Sequence, residues 1–229
     1  MNAFWIKVIA IVTMLVDHFA LIFFPDSFPL QVIGRLSYPL IAWLIANGAL
    51  HTHDIVAYLW RLGIFALLAQ IPYEIGFYML GKHPLFLNVL FTLFFGLFAI
   101  YMLRLSVHPY LRTIGALACV VLAGLLHADY GAGGVLSILA FYIFFDRPGA
   151  MIASQVFILA ILTNLRFLVA PGFGNALVMH PIEMYAVLAL PILLLYNGKR
   201  GLATGYFFYW FFVVQNFAVL LLKSLLASR

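Results

Sequence analysis

The adjacent pair Asp17 and His18 lies in the stretch TMLVDHFALIFF (13–24), where Thr13 is the other polar residue. A carboxylate beside an imidazole offers a base and an anchor for a cation, in a segment otherwise suited to hydrocarbon. An aspartate at the centre of a membrane helix costs about 2.5–3.5 kcal/mol on the insertion scale. A partner or a function must compensate, and an intramembrane ionisable residue reads first as a functional site facing the protein interior. Neighbouring helical residues do not face each other, so Asp17 is poorly placed to orient His18. Separate partners on other helices are expected. Two arginines are available: Arg35, in GRLSYP at the start of the second apolar segment, and Arg61, one or two turns into the third. Asp17 balanced by either leaves His18 to serve as a general base.

Other polar residues join these candidates. Gly34 permits a close approach beside Arg35, and Pro39 loosens the helix that follows. Asn88 opens the fourth apolar segment, and Tyr130 lies in DYGAGG, where glycines let backbone approach a neighbour or a ligand. Glu74, His127, Asp129 and Glu183 fall near expected helix ends, where a wet interface solvates them. Asn47 and Gln70 read as hydrogen-bonding glue between helices. The aromatic run 207–212 reads as an interfacial belt and packing surface. No metal site is expected.

These residues must be positioned by membrane helices. The 229 residues are 66% hydrophobic and 8% charged, against about 25% charged in soluble domains. The apolar runs approach the roughly 20 residues that a spanning helix needs. They lack the alternation of a β-barrel strand. An all-α polytopic membrane protein follows, a single bundle of about 8–9 transmembrane helices forming one domain over 1–229. The expected helices are 4–24, 32–50, 55–80, 87–103, 113–126, 132–145, 150–169, 176–196 and 204–222. The turns PDSFP, GKHP and APGFGN close the first, third and seventh, and RLSVHPYLR reads as a loop. The fifth and sixth are short enough to dip into the membrane without crossing it.

Lys and Arg are modestly more frequent on the side of the N-terminus, which places that side in the cytoplasm. The net charge of +5 is dispersed over the loops and is no nucleic-acid footprint. The single Cys119 makes no intrachain disulfide and reads as a small core residue. Gly201 and Gly205 have the spacing of a weak helix-contact motif. At 1.5 Å per residue, His18 lies about 21 Å along a path of about 30 Å. A reaction whose two reactants arrive from opposite sides fits that depth.

Five motifs in order carry a resemblance to a known family. MLVDH, GRLSYPLIAWLIANG, RLGIFALLAQIPY, NVLFTLFFGLFAIYML and DYGAGGVL together resemble the TraX family across nearly the whole chain. The resemblance bears on Asp17, His18, Gly34, Arg35, Pro39, Arg61, Asn88, Tyr130 and Gly131. It implies a membrane-embedded acetyltransferase of the bacterial inner membrane, which passes acetyl from cytoplasmic acetyl-CoA to an amine or hydroxyl. The acceptor it implies is a pilin N-terminus or another membrane-associated protein.

Within that resemblance His18 is the base, and Arg35 or Arg61 holds the oxyanion or a coenzyme A phosphate. Asn88 and Tyr130 are secondary donors, and Asp17 anchors an arginine. The chain departs from the family where relatives carry a histidine in the last helix: here the stretch is FFVVQNF, with Gln215 near that place. A rival reading, a transporter or proton pathway, accounts for the same intramembrane charges. No inverted repeat is visible to support it. A scaffold reading predicts that Asp17, His18 and Arg35 tolerate alanine.

Overall fold

A computed structural model describes residues 1–24, 26–79, 86–162 and 181–227. Pro25, the GKHP turn and APGFGN lie outside the described residues, as do the far end of the seventh expected helix and the start of the eighth. The described chain is helical throughout: α1 (Ala3–Phe23), α2 (Phe28–Arg35), α3 (Ser37–His51), α4 (Ile55–Met79), α5 (Val89–Arg104), α6 (Pro109–Leu125), α7 (Gly131–Ile143) and α8 (Pro148–Gln155). A π-helix (Val156–Leu162) continues α8. A 3-10 helix (Pro181–Ala189) leads into α9 (Leu190–Leu194), and α10 (Phe207–Ala227) follows.

Three spans, Ala3–Ala20, Phe28–His51 and Ile55–Gly76, are long and apolar enough to cross a membrane, and shorter apolar helices accompany them. On α4 the exposed residues Val56, Trp60, Ile64, Leu67, Ile71 and Ile75 recur every three or four positions, one helical face. A continuous apolar face of that length is stable against lipid chains and unfavourable against water.

Prolines explain where the elements depart from the expected boundaries. The second expected helix is two: α2 ends at Arg35 and α3 begins at Ser37. Pro39 has no N–H for the Arg35 carbonyl, and its ring crowds that carbonyl, so the ladder breaks there. The fifth helix starts four residues earlier than expected, because Pro109 occupies its first turn. At that position the missing N–H costs nothing and the fixed φ is already helical. Pro191 similarly sits in the first turn of α9, where 3-10 geometry gives way to α.

The chain divides into two compact units, Met1–Asn47 with Ala140–Ala203, and Gly48–Leu139 with Thr204–Arg229. Two of the three boundaries fall within α3 and α7, and the third in the loop before α10. In the first unit α1 packs on α2, and α2 on the 3-10 helix, where the rings of Phe28 and Tyr185 meet edge-on at 5.4 Å. Trp43 stacks on Phe145 at 5.7 Å and meets Tyr196 edge-on at 4.7 Å. Backbone bonds tie the start of α1 to the segment after α9: Ala3 donates to the Lys199 carbonyl at 2.9 Å, and Asn197 donates to that of Met1 at 2.9 Å. The start of α1 and the end of α9 therefore lie at one end of this unit.

In the second unit α4 packs on α5 and α10, and α5 on α6. Phe65 of α4 meets Tyr209 and Trp210 of α10 at 5.0 and 5.2 Å, so the aromatic run does pack as well as face outward. Leu87 pairs with Ala128 in an isolated parallel bridge, which holds the start of α5 against the α6–α7 turn. Cys119 is buried. Gly201 and Gly205 lie in the loop before α10, both with positive φ, so they do not share a helix face as the motif requires.

Candidate functional site

The first unit answers which arginine meets Asp17. Arg35 Nη2 lies 3.0 Å from Asp17 Oδ1, with the two side chains 25% and 29% exposed. The approach depends on Gly34: a Cβ there would stand 2.1 Å from Asp17 Oδ1 and 2.6 Å from its Cβ. Glycine is the residue that lets α2 come this near to α1.

His18 has a different partner. Its Nδ1 lies 2.8 Å from the Met14 carbonyl of its own helix. A carbonyl only accepts, so in the neutral ring Nδ1 carries the proton and Nε2 keeps its lone pair. That is the tautomer a base needs, and a backbone carbonyl, not Asp17, orients the ring. Thr13 is spent on its own helix, donating to the Ile9 and Ala10 carbonyls at 2.9 and 3.1 Å. The two ionisable residues of the opening stretch thus have separate partners, but only that of Asp17 lies on another helix as expected. His18 turns to the carbonyl four residues back on its own helix, which is within reach of its ring.

Arg61, Asn88 and Tyr130 belong to the second unit. The Arg61 guanidinium lies over the Tyr58 ring, 5.8 Å from its centroid, and shares a side-chain hydrogen bond with Tyr209. Asn88 is fully buried. Its Oδ1 accepts from the Leu90 N–H at 2.9 Å and caps α5, while Nδ2 donates to the Ala66 carbonyl and to Gln70 Oε1, each at 2.8 Å. Gln70 in turn donates to Glu74 at 3.0 Å and to the Phe86 carbonyl at 2.8 Å. Gln70 is interhelical glue, as expected. Asn88 commits both donors to α4, which makes it a clamp between α4 and α5. The Tyr130 N–H donates to buried Thr92 Oγ1 at 3.3 Å, and Gly131, at φ +50, turns the chain into α7.

Two polar residues differ from expectation. Glu183 is buried on the 3-10 helix, at 7% exposure, and is not solvated at an interface. Gln215 is buried on α10, and neither atom of its amide has a hydrogen-bond partner among the described residues. Tyr58 and Tyr209 were not among the candidates. The YLWR spacing, which puts Tyr58 and Arg61 three residues apart on one helical face, carried the signal for the first; nothing local signals the second. Asn ahead of the apolar run VLFTLFF is likewise a helix-cap signature.

An all-helical chain with membrane-length apolar helices and a charge pair between its first two is thereby defined. It matches the family described as TraX protein over residues 3–223. The chain belongs to the TraX family. It is 34% identical over 235 aligned residues to a protein named "Probable fimbrial assembly protein FimC, serogroup H1" of Dichelobacter nodosus, covering 93% of this chain and 92% of that one. No solved structure matches the chain.

Proposed function

We propose that the chain is a multi-pass acetyltransferase of the bacterial inner membrane, acting in pilus or fimbrial assembly on a pilin or another membrane-associated acceptor. The observation that carries the reading is the contact of His18 Nδ1 with the Met14 carbonyl, which leaves the Nε2 lone pair of the neutral ring unused on a helix otherwise suited to lipid. Family membership and the fimbrial relative support the context. Acetyl-CoA would supply the acetyl group as a thioester. His18 Nε2 takes the proton that the acceptor amine loses as its nitrogen bonds to the acyl carbon. It returns that proton to sulfur as the carbon–sulfur bond breaks. Asp17 holds Arg35 in place. Arg35 supplies a donor for the tetrahedral oxygen, and the resemblance gives Arg61 and Tyr130, which belong to the second unit, as donors for the donor molecule's phosphates. Asn88 acts as a positioning residue. Gln215 offers a further amide donor.

The test is His18→Ala in membrane vesicles supplied with labelled acetyl-CoA and a pilin. Loss of label transfer with melting temperature and expression unchanged is expected. Turnover near that of the wild type sinks the proposal.

A further inference from the structure

Arg35 and Arg61 are both guanidinium groups within apolar spans of membrane length, yet their surroundings differ in kind. Arg35 has the Asp17 carboxylate at 3.0 Å. Arg61 has no carboxylate partner among the described residues. Its neighbours are two phenols: the face of Tyr58 at 5.8 Å and the hydroxyl of Tyr209. Arginine only donates hydrogen bonds, so the Tyr209 oxygen accepts from it. The hydroxyl proton of Tyr209 is then left to donate elsewhere. Guanidinium and hydroxyl together form a set made of donors, and the complement to such a set is a group made of acceptors.

The surroundings hold this set in shape. Tyr58 fits against Gly48, where a Cβ would stand 3.2 Å from its hydroxyl oxygen. Tyr209 is stacked on Phe65 at 5.0 Å, with an interplanar angle of 25°. Both phenols are thus held by packing independent of any ligand. Arg61 is the seventh residue of α4, and Tyr209 the third of α10, so the set lies in the opening turns of both helices. The exposed rings of Trp60 and Trp210 belong to the same turns, and tryptophan favours the level of lipid headgroups. A charged donor set at that level meets phosphate from two directions, the headgroup of an anionic lipid and a soluble phosphorylated molecule.

From this geometry we infer that Arg61, Tyr58 and Tyr209 form an anion site that binds a phosphate group, and that Arg35 does not share this task. The inference deepens the acetyltransferase reading, on which it rests only for the coenzyme A source of the phosphate; the anion site itself requires no acetyl transfer.

Melting temperature of the full chain in dodecyl maltoside provides the test, with three probes: coenzyme A, phosphate-free pantetheine, and phosphatidylglycerol in mixed micelles. Coenzyme A or phosphatidylglycerol should raise the melting temperature of the wild type, and pantetheine should not. Arg61→Gln should weaken the effective probe at least tenfold in dissociation constant, and Arg61→Lys less. Tyr209→Phe keeps the ring on Phe65 but removes the hydroxyl, and should weaken binding severalfold even if Arg61→Gln fails to fold. Loss of coenzyme A binding in these variants assigns the phosphate to the acetyl donor. Loss of phosphatidylglycerol binding alone assigns it to lipid and leaves the anion site standing without a part in acetyl transfer. Absence of any phosphate-dependent shift in the wild type, or equal shifts in Arg61→Gln and Tyr209→Phe, overturns the inference. Failed acetyl transfer with the shifts intact counts against the enzyme reading alone.

Discussion

Replacing Gly34 with alanine adds one carbon at the place where α2 approaches α1. That carbon would stand 2.1 Å from Asp17 Oδ1 and 2.6 Å from both Cβ and Cγ. The carboxylate oxygen can swing aside by rotation about χ1, but Cβ is fixed to the α1 backbone. Relief therefore requires the helices to separate. Forced repacking of this kind costs about 1–3 kcal/mol. Separation also stretches the Asp17–Arg35 contact. Exposed pairs are worth about 0–1 kcal/mol, and breaking a buried one costs about 3–5 kcal/mol. With its side chains a quarter exposed, this pair falls between, at about 1–2 kcal/mol once screening is allowed for.

The sum is about 2–5 kcal/mol, and a chain of this size loses about 2–4 °C per kcal/mol. Gly34→Ala should therefore melt roughly 4–20 °C below the wild type in scanning fluorimetry of detergent-solubilised protein. Gly149→Ala is the control. Nothing lies within 4 Å of its added carbon, and the change should be neutral or stabilising by up to about 1 kcal/mol. In an Asp17→Ala background two of the three close atoms are gone, so the Gly34→Ala penalty should shrink by about 1 kcal/mol or more. A Gly34→Ala melting temperature within 1–2 °C of the wild type, or strict additivity with Asp17→Ala, would refute the argument, since about 4 °C is the smallest drop allowed.

Asn88→Ala should cost about 2–4 kcal/mol in the same assay, because it removes the α5 cap and the side-chain donor to the Ala66 carbonyl, and leaves Gln70 Oε1 with only the backbone N–H of residue 88; a loss below about 0.5 kcal/mol would contradict the clamp. Phe65→Ala should cost about 3–5 kcal/mol and loosen α10, which limited proteolysis near 204–206 would detect. Gln215→Leu separates stability from activity: it removes a buried amide whose unmet bonds cost about 1–3 kcal/mol, so the melting temperature should hold or rise while acetyl transfer falls. Unchanged transfer would remove Gln215 from the proposed site.

The helical class and most of its helices were legible because apolar runs and turn residues are local properties. Even so, GRLSYP shows that Pro39 acts four residues upstream, on the Arg35 carbonyl, and the boundary moves accordingly. RLSVHPYLR shows the opposite mistake, a proline read as loop when it begins a helix. The π and 3-10 segments carry no distinctive residue pattern; long-range packing selects them. At the candidate site, helical spacing alone separated Asp17 from His18. It could not choose between Arg35 and Arg61, because the choice depends on which helix packs on α1. Glu183 was misread for the same reason, since a helix end in sequence need not be a wet end in space.

The order in which the chain is made gives the first unit an unequal history. Its early part ends at Asn47 and its remainder begins at Ala140. At about 5–20 residues per second, that remainder begins to emerge roughly 5–20 s later. Asp17 and Arg35, only 18 residues apart, are synthesised within about 1–4 s of each other. The pair can form while most of its final surroundings do not yet exist. In a membrane-inserted chain α1 and α2 would then enter lipid with the charges of Asp17 and Arg35 already paired, and Gly34, by allowing that closeness, would spare lipid an unpaired aspartate.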